Sequence, residues 1–218
     1  MRFARLSAAA LLGLILLTGC SSVYYGAMEK VGVHKRSILV DRVQGAREAQ
    51  TEAKAQFASA LDQFLAVSRV PPTELQATYE RLNEEFKRSE TRAQEVRSRI
   101  AAIDDVAEAL FAEWAAELAQ YTNPALRSQS DAQLKATRQR YAGLMRVMEQ
   151  ASARMTPVLN AFRDQVLFLK HNLNAQAIAA LDGTSRDLQQ DIGRLIADMD
   201  KAIREADAFI ATMKTPGA

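Results

Sequence analysis

The sequence predicts an all-α protein, an antiparallel bundle of four long helices from which a two-helix hairpin projects. From Ser37 onward, apolar residues recur at alternating steps of three and four, the spacing of helices that pack through a narrow seam. No region shows sustained alternation of period two with β-branched residues, so strands are not predicted. A composition of 48% apolar and 25% charged residues is sufficient to bury a core.

Residues 1–19 are expected to be a leader that is removed. Arg2 and Arg5 precede an apolar run that contains no acidic residue and stops at Gly19, which is the layout of a secretory signal peptide. The run is too short for a comfortable bilayer crossing, which needs about 20 residues. The motif Leu17-Thr18-Gly19-Cys20 resembles a bacterial lipobox. That resemblance implies cleavage before Cys20 and lipidation of its thiol.

Cys20 is the only cysteine in the chain, so disulfides within a monomer and cysteine-rich metal sites are excluded. The alternative is an ordinary signal peptide whose cleavage region happens to contain a cysteine. Several acyl chains, palmitate among them, anchor a protein stably at about 0.8 kcal/mol per buried methylene. By resemblance to Gram-negative lipoproteins, Ser21 favours an outer-membrane protein facing the periplasm over an inner-membrane one.

The mature part of the chain is expected to be electrically neutral. Arg2 and Arg5 are two of the 28 basic residues, whereas all 26 acidic residues follow residue 19. Loss of the leader therefore leaves equal numbers of both signs. Because an overall basic charge is lacking, no nucleic-acid partner is expected.

The first helix is predicted from Ser37 to Val67, before Pro71 and Pro72, which lack backbone donors. Thr73 is well placed to cap the second helix. The seam of the first helix is rich in small residues, which allow a neighbouring helix to approach closely but bury less apolar area. This seam comprises Leu39, Val43, Ala46, Gln50, Ala53, Phe57, Ala60, Phe64 and Val67.

The second helix is predicted from Leu75 to Tyr121, and at about 1.5 Å per residue it would reach roughly 70 Å. Asn123-Pro124 breaks it. The polar stretch 127–131 is interpreted as a connection in which Ser128 or Ser130 caps the third helix.

The third helix is predicted to reach Leu173, with a kink at Pro157 or a restart capped by Thr156. Asp182-Gly183-Thr184-Ser185 contains a helix-ending glycine followed by a new cap, so the turn into the fourth helix is predicted there. The tail from Thr215 is expected to fray.

These lengths define the architecture. Helices two and three, each about fifty residues long, would form an antiparallel hairpin, and helices one and four, about thirty residues each, would line only its base half. Helix one would start beside roughly residue 106. The chain thus divides into a leader (1–19), a lipid-anchored neck (20–36), a helical bundle (37–214) and a flexible tail (215–218).

Reactive side chains do not form a recognisable constellation. His34 and His171 are the two histidines, and neither completes the Glu-x-x-His pair of a di-iron bundle. Phosphate-cradling glycine motifs and the Gly-x-Ser-x-Gly motif are also missing. Glu113 and Glu117 share a helix face, which is most simply a solvated surface. We therefore expect no enzyme, no metal site and no cofactor.

The neck is a candidate membrane-proximal surface, because acyl chains on Cys20 would hold it beside the bilayer. Aromatic residues suit the lipid interface, and cations suit anionic headgroups. The alternative is that its aromatic residues pack on the bundle. The residues concerned are Tyr24, Tyr25, Met28, Lys30, His34, Lys35 and Arg36.

The tip of the hairpin is a candidate partner-docking surface. If only two helices reach this far, part of its aromatic surface stays exposed unless a partner or a second copy covers it. The alternative is that Trp114 fills the seam. The residues concerned are Phe111, Trp114, Tyr121 and Tyr141.

The segment Tyr24–Val43, which begins Tyr-Tyr-Gly-Ala-Met-Glu-Lys, is similar to an uncharacterised family of Gram-negative bacterial lipoproteins. The run Phe168–Gln176 resembles the same family. The resemblance implies an envelope location and a helical fold, and it carries over no catalytic residue.

The function expected from these features is that of a non-enzymatic, membrane-tethered periplasmic scaffold or adaptor, which meets a protein partner or another copy through its helical surfaces. The alternative is a bundle that binds a small ligand or lipid in a pocket opened by the Pro157 kink or by the alanine-rich first helix. An apolar cavity in the base would favour the ligand binder. A filled base with exposed aromatics at the tip would favour the adaptor.

Overall fold

The structure, a computed structural model, describes residues 34–172 and 175–214. Within these ranges the chain forms α-helices and short 3₁₀ turns without a strand, which confirms the all-α prediction. The helices are α1 (Lys35–Leu65), α2 (Leu75–Glu117), α3 (Pro124–His171) and α4 (Ala175–Lys214), and the 3₁₀ turns are Ala66–Arg69, Pro72–Glu74 and Leu118–Gln120. The predicted leader, the predicted tail and the neck up to residue 33 lie outside the described residues.

The four helices form an antiparallel bundle in which each helix packs against two neighbours. α1 contacts α2 and α4, and α3 contacts the same two helices. Lys35, at the start of α1, pairs with Glu113 near the end of α2, with 3.0 Å between Nζ and Oε1. We call the end of the bundle at Leu65 and His171 the base end, and the end at Glu117 and Pro124 the tip end.

The core is one continuous apolar cluster. Towards the base end, the ring of Phe162 packs edge-on against Phe64 and Phe86, with centroid distances of 6.1 and 6.0 Å. These contacts join α1, α2 and α3 through their largest side chains. Nearer mid-length, Ala53 on α1 and Ala93 on α2 are fully buried, and small residues at such positions allow neighbouring helices to approach closely.

The first turn lies where the prolines predict it, but its cap differs from the prediction. α2 begins at Leu75 after a 3₁₀ turn that contains Thr73. Its N-cap residue is Glu74, whose side chain makes no capping hydrogen bond. The prediction that Thr73 caps α2 is therefore wrong, because the 3₁₀ turn moves the helix start one residue further on.

The second turn is shorter than predicted. α2 ends at Glu117 rather than Tyr121, and the side-chain oxygen of Asn123 caps α3 by accepting hydrogen bonds from the Ala125 and Leu126 amides at 2.9 and 3.3 Å. Pro124 occupies the first helical turn, where the missing N–H costs nothing. Ser128 and Ser130 lie inside α3 and do not cap it.

α3 continues through Pro157 to His171, so the predicted restart at Thr156 is wrong. The turn predicted around Gly183 is also wrong, because α4 begins at Ala175 and runs through that glycine. Asn172 ends α3, and its side-chain amide donates to the Phe168 carbonyl at 2.9 Å. A glycine inside a helix costs only about 1 kcal/mol relative to alanine, which the packing of a long helix can outweigh.

These boundaries lengthen the four-helix part of the bundle. α4 has 40 residues rather than about thirty, and α1 starts level with Glu113 rather than residue 106. At that level Arg36 donates two hydrogen bonds to the Met213 carbonyl, at 3.1 and 2.8 Å, which joins the start of α1 to the end of α4. The predicted two-helix projection is confirmed, but it is shorter than expected.

Candidate interaction surfaces

The described part of the neck is integrated into the bundle. His34 is exposed, and its carbonyl accepts the Ser37 and Ile38 amides at 2.9 and 3.2 Å, which begins α1. Lys35 is 9% exposed and pairs with Glu113. The Arg36 guanidinium bonds to the negative C-terminal end of α4, where a cation is favourable.

Both of these cations therefore have partners within the bundle. Glu113, interpreted from the sequence as part of a solvated face, is one of those partners. Cys20, Tyr24, Tyr25, Met28 and Lys30 lie outside the described residues. Membrane seating of the neck thus stays a prediction.

Phe111 and Tyr141 pack against each other between α2 and α3. Their rings meet edge-on with centroids 5.4 Å apart, and Phe111 is buried. The guanidinium of Arg138 lies 5.4 Å from the centre of the Phe111 ring and donates to the Phe111 carbonyl at 3.1 Å. The Tyr141 hydroxyl donates to Asp104 Oδ1 at 2.7 Å. Burial, together with this bond to a carboxylate, raises the pKa of the Tyr141 hydroxyl well above its ordinary value.

Trp114 is half-buried, and its indole N–H donates to Ser130 Oγ at 2.8 Å. Ser130 is a buried residue of α3. The indole therefore lies in the α2–α3 seam. Three of the four aromatic residues proposed for docking, Phe111, Trp114 and Tyr141, thus make contacts between α2 and α3.

The exposed apolar surface of the tip consists of Tyr121, at 41% exposure, and Leu126, at 51%. Sequence reasoning missed Leu126. The spacing in the sequence points to it, because Leu126 lies four residues before the buried Ser130 and therefore shares the seam face of α3. It is exposed because this face extends past the neighbouring helices.

A second exposed apolar pair lies near the base end. Leu167 is 47% exposed and Phe168 40%, in the last turns of α3 beside the exposed Lys170 and His171. In the sequence, Phe168 stands out only as part of the run that carries the family resemblance. The two exposed pairs occupy opposite ends of the bundle.

An open groove runs along the α2–α3 face. The part nearer the tip end has a volume of about 360 Å³ and is lined by Ile100, Met145 and Glu149, among others. The part nearer the base end has a volume of about 420 Å³, and Arg97 and Thr156 line both parts. The Arg97 guanidinium donates to Thr156 Oγ1 at 3.0 Å across the groove. The groove is open at the surface, and its lining includes the buried core residues Ile100, Met145 and Leu159.

The core contains one side chain whose chemistry is unusual. Gln50 of α1 has no exposed surface, and neither its amide nitrogen nor its oxygen has a hydrogen-bond partner.

Among the described residues, no group of three or more His, Cys, Asp or Glu side chains could hold a metal ion. None of the helices in these ranges is both long and apolar enough to cross a bilayer.

The comparisons with known proteins give a family but no activity. No curated protein and no solved structure matches the chain. A family model does match it, from residue 24 to residue 213, which includes all of α1, α2 and α3 and nearly all of α4. The chain therefore belongs to the family described as "Protein of unknown function (DUF2959)".

Proposed function

We propose that this protein is a lipid-anchored lipoprotein of the bacterial cell envelope, a non-enzymatic scaffold or adaptor that presents its helical surface to another component in the periplasm. The proposed anchor is Cys20, and the proposed membrane is the outer one. The observation that carries the proposal is the distribution of exposed apolar side chains. The core of the described residues is one continuous apolar cluster, and large apolar side chains are exposed near the two ends of the rod.

The direction of α1 gives the two ends different roles. The chain enters α1 at the tip end, so the segment that leads back to Cys20 starts there. α1 has 31 residues, and at about 1.5 Å per residue the base end lies roughly 45 Å further on. A rod anchored in this way holds its base end out into the periplasm.

The base-end pair, Leu167 and Phe168, is the proposed docking surface for a periplasmic protein. An exposed apolar pair lies there beside Lys170 and His171. Apolar side chains with a polar rim are typical of protein interfaces. A partner with a small apolar patch and adjacent acidic residues would complement this surface.

The anchor is tested with Cys20→Ala. We expect this variant to lose labelling by a clickable palmitate analogue and to leave the membrane fraction. Ser21→Ala, which keeps the thiol, is the matched control. If wild type carries no acyl label, or if the unacylated variant stays membrane-bound, the anchoring proposal is wrong.

The docking surface is tested with a photocrosslinking residue in place of Lys170. We expect a defined crosslinked species in wild type that disappears when Leu167→Ser and Phe168→Ser are combined. The matched control combines Tyr121→Ser and Leu126→Ser at the opposite end, and it should leave the crosslink unchanged. An unaltered crosslink in the base-end variant would refute the proposed surface.

A second candidate function, binding of a small apolar ligand, is favoured by the α2–α3 groove. Both parts of the groove include Thr156, next to the helix proline Pro157. A bound lipid or fatty acid should then appear in native mass spectra of the purified protein. Ala153→Trp, at the groove wall, should abolish that signal.

A further inference from the structure

We infer that the tip of the α2–α3 hairpin rests on the surface of the bilayer that holds the anchor, with Tyr121 and Leu126 at the lipid interface. The inference rests on the proposed anchoring at Cys20 and extends membrane contact from the neck to the folded bundle. Three features carry it: the direction in which the hairpin projects, the length of the tether and the chemistry of the exposed tip.

The hairpin projects past the point where the chain enters the bundle. The start of α1 is level with Glu113, as the Lys35 ion pair shows. α2 continues beyond this level to Glu117, and α3 begins beyond it at Pro124. Ser130 of α3 lies level with Trp114, to which it is hydrogen-bonded, and the six residues from Pro124 to Ser130 add roughly 9 Å at about 1.5 Å per residue. The tip therefore extends past the start of α1, away from the base end.

The tether is long enough for the tip to reach the membrane. Cys20 precedes His34 by fourteen residues, and an extended chain covers at most about 3.3–3.6 Å per residue. The tether can therefore span roughly 45–50 Å, which exceeds the projection of the tip. Because the anchor also keeps the tip at a high effective concentration beside the surface, a weak interfacial contact is sufficient.

The chemistry of the tip suits a lipid interface. Tyr121 and Leu126 are 41% and 51% exposed; tyrosine is enriched where lipid meets water, and leucine gains from burial among acyl chains. Arg127 is exposed beside them and can attract anionic headgroups. Of the nearby acidic residues, Asp131 is paired with Lys135 at 2.7 Å, and Glu117 is exposed and opposes the attraction.

The test attaches an environment-sensitive fluorophore, nitrobenzoxadiazole, to the cysteine introduced by Leu126→Cys or, as the matched control, by Leu167→Cys. Both leucines are about half exposed, and they lie at opposite ends of the bundle. The acylated full-length protein is incorporated into vesicles of phosphatidylethanolamine and phosphatidylglycerol. Cys20 is acylated in that protein, so the new cysteine alone reacts. Flotation of the vesicles reports anchoring separately.

We expect the label at position 126 to shift to the blue on incorporation and to be quenched by nitroxide-bearing lipids, while the label at 167 stays water-like. If the protein floats with the vesicles but the emission of both labels stays water-like, the tip does not contact the bilayer, although the anchor holds. Failure to float would overturn the anchor and, with it, this inference. A blue-shifted label at 126 before vesicles are added would show that the chain itself or a second copy covers the tip, and would also overturn it.

Discussion

Gln50 is a residue whose side chain conflicts with its surroundings. Its amide is fully buried on α1 without a hydrogen-bond partner. A buried polar group left in this state costs about 1–3 kcal/mol of folding free energy. Polar residues in helical seams can select one register over others, which is one benefit that could outweigh the cost.

Gln50→Met should therefore stabilise the protein. Methionine has a similar shape and no polar atoms that need a partner, so we expect the free energy of unfolding to rise by about 1–2 kcal/mol. Urea denaturation followed by circular dichroism measures the change. Gln56→Met is the control, because it removes a bond of 2.6 Å to Glu85 and should give no gain. Destabilisation by Gln50→Met would mean that the amide has a partner in solution.

Tyr141 should make the stability of the bundle sensitive to high pH. Its folded-state pKa is raised by burial and by Asp104, whereas an unfolded tyrosine titrates near pH 10. The contribution of Tyr141 to the free energy of unfolding is therefore complete below about pH 10. It falls as the pH rises further, because the tyrosine hydroxyl then loses its proton more readily in the unfolded state than in the folded state.

Tyr141→Phe should lower the free energy of unfolding by about 1 kcal/mol at neutral pH, since one hydrogen bond is lost. Above pH 10 the difference from wild type should shrink. Urea unfolding at pH 7 and above pH 10 measures both effects. Tyr79→Phe, which changes a half-buried tyrosine of α2, controls for general alkaline effects. A constant difference at all pH values would contradict the assignment.

At the scale of single helices, the start of α3 shows how one motif allows two interpretations. Asn-Pro favours the end of one helix, and it equally favours the start of the next, with asparagine as cap and proline in the first turn. The structure has the second arrangement. The preceding helix ends six residues before Asn123, after a short 3₁₀ turn.

Asn123→Ala should therefore destabilise the protein by about 1 kcal/mol, the usual effect of losing an N-cap. Asn123→Asp keeps a capping oxygen and should remain close to wild type. Ser128→Ala changes a position inside the helix and should have little effect. Thermal or urea unfolding gives the comparison. If Ser128→Ala were the more damaging change, the helix would begin later than the structure shows.

At the scale of the whole molecule, the ion pair between Lys35 and Glu113 reports how far the four-helix part extends. It lies near the tip end, with side-chain exposures of 10% and 34%. A double-mutant cycle of Lys35→Met and Glu113→Gln should give a coupling energy on the order of 1 kcal/mol. The same cycle with Glu117→Gln, one turn further along α2, should give none. Coupling to Glu117 instead would place the start of α1 closer to the tip.

The two ends of the rod follow from this arrangement. Because α1 starts at the tip end, the proposed tether joins the bundle at the end that carries the exposed tip pair, and the base-end pair lies on the order of 45 Å away. This separation supports one end meeting the membrane and the other meeting a partner. It also makes each exposed pair the natural control for the other.

Part of the candidate surface could be predicted from the sequence. The tip aromatics were identified because aromatic residues flank a predicted hairpin turn. The half-buried position of Trp114 depends on Ser130, a residue on another helix that accepts the indole hydrogen bond. Leu126 was missed because the interpretation of Asn123 placed it in a loop.

The sequence by itself determined the helical class, the first break at Pro71 and Pro72, and the apolar faces of the helices, because these depend on neighbours within a few residues. The tertiary structure alone decided that α4 runs through Gly183, that α1 reaches Glu113, and that Lys35 and Arg36 pair within the bundle. Packing of a long helix outweighs a local penalty of about 1 kcal/mol. The partners of a side chain on another helix follow only from how the helices are brought together.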